Sequence, residues 1–158
     1  MTDWSLSRNT DRAGEGLMSP ENLVTEGTLQ RLSDVRHSLL RLHKVLLEYQ
    51  RRDYERFSGR IDNSYHFLKL VMRDKAFAWL HRLSELVVQI DEMLDAEQGP
   101  VETDAIVLLD QARFLLTPSE SGDEFQKKYF DSLQDSPDVV LAHSEVVKLL
   151  GKKSSEVH

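Results

Sequence analysis

Apolar residues recur along this chain at steps of three and four, the spacing that places them on one face of an α-helix. From Leu32 the series runs through Val35, Leu39, Leu42, Leu46 and Tyr49. That 3-4-3-4-3 seam is the kind that lines a helical bundle, and it predicts one long helix over 26–57. Thr25 or Thr28 can cap its start, Ser58-Gly59 stops it, and Leu40, His43, Leu47, Tyr54 and Phe57 make a flanking stripe. The widest apolar face lies in 75–95, where Leu80, Leu83, Val87, Ile90 and Leu94 are joined by Trp79, Leu86 and Met93. A stripe that wide requires several covering neighbours. The stretch 75–95 is therefore the expected centre of the fold, its ridge through Leu83 and Ile90 interior on nearly all sides.

The other elements are shorter. Asp62 or Asn63 caps a helix over 64–72, with Tyr65, Leu68 and Val71 or Met72 turned inward. Arg73-Asp74 reads as a break or as a bend, and the lack of glycine or proline there favours one continuous helix over 63–95. Gln98-Gly99-Pro100 ends the central helix, and Thr103 is the expected cap of a helix over 104–116 that buries Ala105, Leu108, Ala112 and Leu115. Thr117-Pro118-Ser119-Glu120 has the form of a capping box, but Gly122 moves the stable start toward Asp123, with Phe125, Tyr129 and Leu133 in line. Ser136-Pro137 opens a last helix that reaches Leu150. No segment alternates with the period of two that marks a strand. The expected fold is all-α: an antiparallel bundle of four main helices plus one or two short ones. It forms a single domain over 25–150, between a disordered tail at 1–24 and a flexible one at 151–158.

Charge modifies this picture more than composition does. The 158 residues carry a net charge of −7 and no cysteine, which removes disulfides, zinc–thiolate sites and thiol catalysis. No run approaches the roughly 20 apolar residues of a membrane span, and the first residues lack the apolar core of a secretory signal. The expectation is a cytoplasmic protein that binds neither membrane nor nucleic acid. Between Thr28 and Arg60 stand eight basic and four acidic residues, whereas between Glu85 and Glu145 there are three basic and fifteen acidic. Either the basic helix packs beside acidic ones, or the strip Arg51, Arg52, Arg56 and Arg60 meets an acidic partner or another copy of the chain.

Candidate chemistry rests on histidines and carboxylates. His43 lies beside an apolar stripe, and His143 falls between Val140 and Val147, where an apolar residue would suit the pattern. His81 and Glu85, four apart, share a helix face. Together with Glu48, these residues define a conceivable metal site of the di-iron or hemerythrin- and ferritin-like kind, in which side chains project inward from facing helices. The Glu-x-x-His pair diagnostic of such sites is absent, and His81 and Glu85 map away from the Leu83 ridge. There is no nucleophile elbow and no phosphate-binding glycine loop, so no catalytic residue and no cofactor are assigned. Asp91 lies close to the apolar ridge and needs a donor, for which Arg82 or Arg113 is available. Val88, on the polar face of its helix, points to further cover from later helices or a second subunit. A small-molecule pocket lined by Trp79, Phe77 and Tyr49 is a further possibility.

The runs Phe77-Ala78-Trp79-Leu80, Leu83-Ser84-Glu85-Leu86 and Gln89-Ile90-Asp91-Glu92 resemble those of a group of uncharacterised small helical bacterial proteins. The likeness extends to Ala112-Arg113, Leu115-Leu116-Thr117-Pro118 and Leu141-Ala142-His143, and so spans residues 30–150. It implies a bacterial origin and a helical fold, and it carries over no functional residue. The expected function is a non-enzymatic protein–protein interaction or regulatory module that self-associates, as a dimer, or binds another protein. The alternative is the metal-binding bundle.

Overall fold

The computed structural model describes residues 23–97, 99 and 101–151. Among them the regular structure is helical, apart from one bridge between Leu23 and Val101. The tails expected over 1–24 and 151–158 lie outside the described residues, save for Leu23, Val24 and Gly151. The helices are α1 (Glu26–Ser58), α2 (Ser64–Arg73), α3 (His81–Asp95), α4 (Glu102–Leu115), α5 (Glu124–Asp135) and α6 (Pro137–Leu150). A short 3-10 segment, Lys75–Leu80, leads into α3.

The long seam of α1 is buried as its spacing predicts. Leu32, Val35, Leu39, Leu42 and Leu46 lose all contact with solvent. Thr25 caps the helix by accepting from the Thr28 N–H, and Gly59 ends it at a φ of 101° that a side chain would resist. This helix, rather than 75–95, is the hub. Its side chains reach α3 through Arg36–Asp91 and His43–Ser84, the 3-10 segment through Gln50–Trp79, α4 through Thr28–Glu102, α5 through Tyr49–Asp135 and α6 through Arg41–Glu145. Ascending positions in α1 meet descending positions in α3. Within α3 the ridge is interior at Leu83, Leu86, Val87 and Ile90, while Arg82, Glu85, Val88, Gln89 and Glu92 face water. The ridge itself is interior, with α3 packed against α1, α4 and the 3-10 segment, while Val88 on the outer face is 50% exposed.

Two boundaries and one inward face depart from the pattern. The chain breaks at Asp74, whose extended backbone (φ −84°, ψ 142°) separates α2 from the 3-10 segment. Asp74 closes α2 with its N–H on the Leu70 carbonyl and caps the next element with a carboxylate that accepts from the Ala76 N–H. An aspartate can act as an N-cap without glycine or proline nearby, so the break leaves no such mark. In α2 the inward residues are Phe67, Leu70 and Val71, while Tyr65, Leu68 and Met72 are exposed. Both faces are apolar, and the choice falls to Phe77, whose ring meets Phe67 edge-on at 5.7 Å and Tyr54 at 6.0 Å. Helix α4 starts at Glu102, and Thr103 does not cap it. Glu102 instead turns its carboxylate to the Thr25 N–H and Thr28 hydroxyl at the start of α1. Thr117–Glu120 does not open a helix, and α5 starts after Asp123, as Gly122 leads one to expect. Asp123 and Gln126 form the capping box of α5, and the Gln126 amide also donates to the Thr117 carbonyl.

Candidate functional site

The histidines proposed as metal ligands are held apart, each with its own partner. His43 Nε2 lies 2.9 Å from Ser84 Oγ, and burial, followed by the charge of His81, lowers its pKa. His81 donates from Nε2 to the Val71 carbonyl at 3.1 Å, at the end of α2 where helix carbonyls lack intrahelical partners. The buried line of α6 is Val139, Ala142, Val146 and Leu150, so Val140 and Val147 face outward and His143 flanks the core. Helix α6 is apolar most of the way round, and spacing alone could not orient it. His143 Nδ1 and the Tyr129 hydroxyl share a 2.6 Å hydrogen bond. Burial lowers the His143 pKa and raises that of Tyr129, which keeps the histidine neutral and the phenol protonated. Glu85 stands on the outer face of α3. Among the described residues, no three His, Asp or Glu side chains converge as a metal would require. Asp91 finds its donor in Arg36, not in Arg82 or Arg113, which turn to Asp123 and Asp110.

The arginine strip runs along the last third of α1, with Arg60 just past the end of the helix. Arg51 lies over the Phe67 ring at 5.1 Å and 3.9 Å from Glu55, Arg52 is 3.6 Å from Glu48, and Arg56 is 4.0 Å from Asp53. These are pairs along one helix, worth a few tenths of a kcal/mol each, roughly 0.2–0.5. Arg52, Arg56 and Arg60 remain exposed, and Arg56 lies 5.7 Å over the ring of Phe57, which is 76% exposed. The basic helix also meets acidic ones directly, in Arg36–Asp91 and Arg41–Glu145.

Two concave surfaces stand out. The first is a groove between α3 and α4. Its deeper part, about 540 Å³, is lined by Arg82, Glu85, Leu86, Gln89, Val107, Asp110, Gln111, Phe114 and Leu115. It continues, through the shared Gln89, Val107 and Gln111, to Glu92, Met93 and Asp104. The floor is apolar, with Phe114 62% exposed and Val107 52%. The edges carry Glu85, Glu92, Asp104 and Asp110; the one cation in the lining, Arg82, is bound by Asp123 at 2.6 Å, and Asp110 is paired with Arg113. Leucine spacing within α3 gave no sign of this groove, because it arises from the outward residues of two helices that the fold sets side by side.

The second is a cleft of about 270 Å³ between α1 and α5, lined by Tyr49, Gln50, Asp53, Trp79, Lys128, Asp131, Gln134 and Asp135. Trp79 and Tyr49 are there as the pattern suggests, but Phe77 is not among its walls and packs between Tyr54 and Phe67. Tyr49 donates to Asp135 at 2.8 Å. Its phenol is pushed up in pKa by burial, by that hydrogen bond, and by the charges of Asp135, Asp53 and Asp131. Among the described residues, no helix is long and apolar enough to cross a membrane. No protein-family model, no curated protein and no solved structure matches this chain.

Proposed function

We propose that the chain is a non-enzymatic interaction module, an antiparallel bundle of four main helices (α1, α3, α4, α6) with α2 and α5 as short additions, which associates with further copies of itself. The bundle reading draws support from the contact order, in which early residues of α1 meet late residues of α3 and α6. The association reading is carried by one observation: the apolar floor of the α3–α4 groove, with Phe114 and Val107 open to water between carboxylates. Apolar surface of this kind gains from being covered, and the surplus of negative charge around it selects a basic, apolar visitor. The chain itself carries one, in exposed Phe57 beneath Arg56, with exposed Arg52 and Arg60 close by in the sequence. Groove and strip are different surfaces, so copies joined this way meet head to tail.

Sedimentation velocity at rising protein concentration tests this. The expected result is a mass above that of one chain at about 100–500 µM, a range suited to weak contacts, and a shift toward monomer when salt screens the charges. Phe57→Glu is expected to remove the association without loss of helix content, since Phe57 is largely exposed in the monomer. A species that stays monomeric throughout that range refutes the reading.

A further inference from the structure

The α1–α5 cleft contains a polar group that no described residue satisfies. Gln50 is only 7% exposed, and its side-chain oxygen accepts from Trp79 Nε1 at 2.8 Å. Indole N–H can only donate, so the amide oxygen must face it and the amide NH2 must point elsewhere. Among the described residues, no acceptor meets that NH2. A buried donor with no partner is costly, and such groups normally find water or a ligand. Gln50 lines the cleft, whose outer walls carry Asp53, Asp131 and Asp135 against one cation, Lys128. Asp131 has neither a hydrogen bond nor an ion pair with any described residue. Asp135 is partly engaged by Tyr49, and Asp53 lies 4.0 Å from Arg56. The cleft therefore offers an orphan donor at its base, beside the Trp79 indole, and unbalanced carboxylates at its mouth.

We propose that the cleft between α1 and α5 is a binding site for a small primary amine bearing an acceptor oxygen, its ammonium among Asp53, Asp131 and Asp135 and its oxygen on the Gln50 amide. The two ends differ in chemistry, so the site reads the ligand at both: a cation alone leaves Gln50 unsatisfied, and an oxygen alone leaves the carboxylates unbalanced. A volume of about 270 Å³ holds a molecule of a few heavy atoms. Trp79, 4% exposed, closes the base against bulk water. The site is separate from the α3–α4 groove and does not depend on self-association.

Titration of the full-length, isotope-labelled protein tests the proposal, read from the Gln50 side-chain NH2 and the Trp79 indole N–H in proton–nitrogen spectra. Ethanolamine is the probe, with propylamine (amine only) and ethylene glycol (oxygen only) beside it, each taken to about 20 mM, where even a millimolar site fills. Both signals are expected to shift saturably with ethanolamine, more weakly with propylamine, and not with ethylene glycol. Asp131→Asn, at an exposed position, is expected to weaken ethanolamine binding by about tenfold while helix content is kept. Gln50→Leu removes the advantage of ethanolamine over propylamine. The monomeric Phe57→Glu variant binds as the parent does, which separates this test from the preceding one. Absence of saturable shifts, equal response to ethylene glycol, or an Asp131→Asn titration identical to the parent's overturns the proposal.

Discussion

Truncating Ile90 to alanine probes the packing on which the fold depends. Ile90 is fully buried in α3, and its neighbours along the ridge, Leu83 and Val87, are interior as well. The change deletes three carbons. At about 0.8 kcal/mol for each buried methylene, the lost transfer energy is roughly 2.4 kcal/mol. The void left behind adds to this, because the surrounding core is itself buried and can collapse only in part. The expected loss is about 3–4 kcal/mol, inside the usual ~2–5 range for such truncations. For a chain of this length, 1 kcal/mol moves the midpoint by roughly 2–4 °C, so Tm should fall by about 6–16 °C. Urea unfolding followed by circular dichroism should give a lower midpoint at an unchanged slope. Two controls sharpen the result. Val88→Ala lies two residues away on the same helix, at a side chain that is 50% exposed, and His37→Ala sits off the α1 seam at an exposed position. Each should stay within about 1 kcal/mol of the parent. The reasoning fails if Ile90→Ala melts with the parent, or if Val88→Ala is as damaging.

Two further expectations concern the capping box and pH. A methyl group at Gly122 would stand 2.9 Å from Gln126 Cβ, so Gly122→Ala must displace Gln126 from the box it forms with Asp123, at a cost of about 1 kcal/mol readable as a shifted urea midpoint; an unchanged midpoint contradicts it. His43 and His143 both have pKa values lowered from 6.5 by burial, so the unfolded chain takes up protons that the folded one refuses. Their contribution to stability is complete above pH 6.5 and is lost as pH falls through the folded values. Urea midpoints should therefore fall between pH 7.5 and about 5.5, and a flat or rising profile over that window refutes the assignment.

The sequence by itself determined the helical character of the described chain and most of what is buried. Leu32, Val35, Leu39, Leu42 and Leu46 are interior, and so are Ala105, Leu108, Ala112 and Leu115, because apolar residues at helical spacing have one stable resting place, away from water. Local chemistry fixed several ends as well: Thr25 before α1, Gly59 after it, and Ser136-Pro137 at the start of α6. Only the tertiary structure chose between faces that were both apolar, turning Phe67 and Leu70 of α2 inward against Phe77 and leaving Tyr65 and Leu68 outside. It likewise gave Glu102 to the neighbouring helix, handed Asp91 to Arg36, and dispersed His43, His81 and His143 to partners of their own. The groove and the cleft belong to this second class. Each is made of residues distant in the chain, Gln50 with Asp131 or Leu86 with Phe114, and spacing within one helix cannot report which outward side chains a second helix will bring beside them. Periodicity describes a helix in isolation, whereas a site is a property of helices in contact.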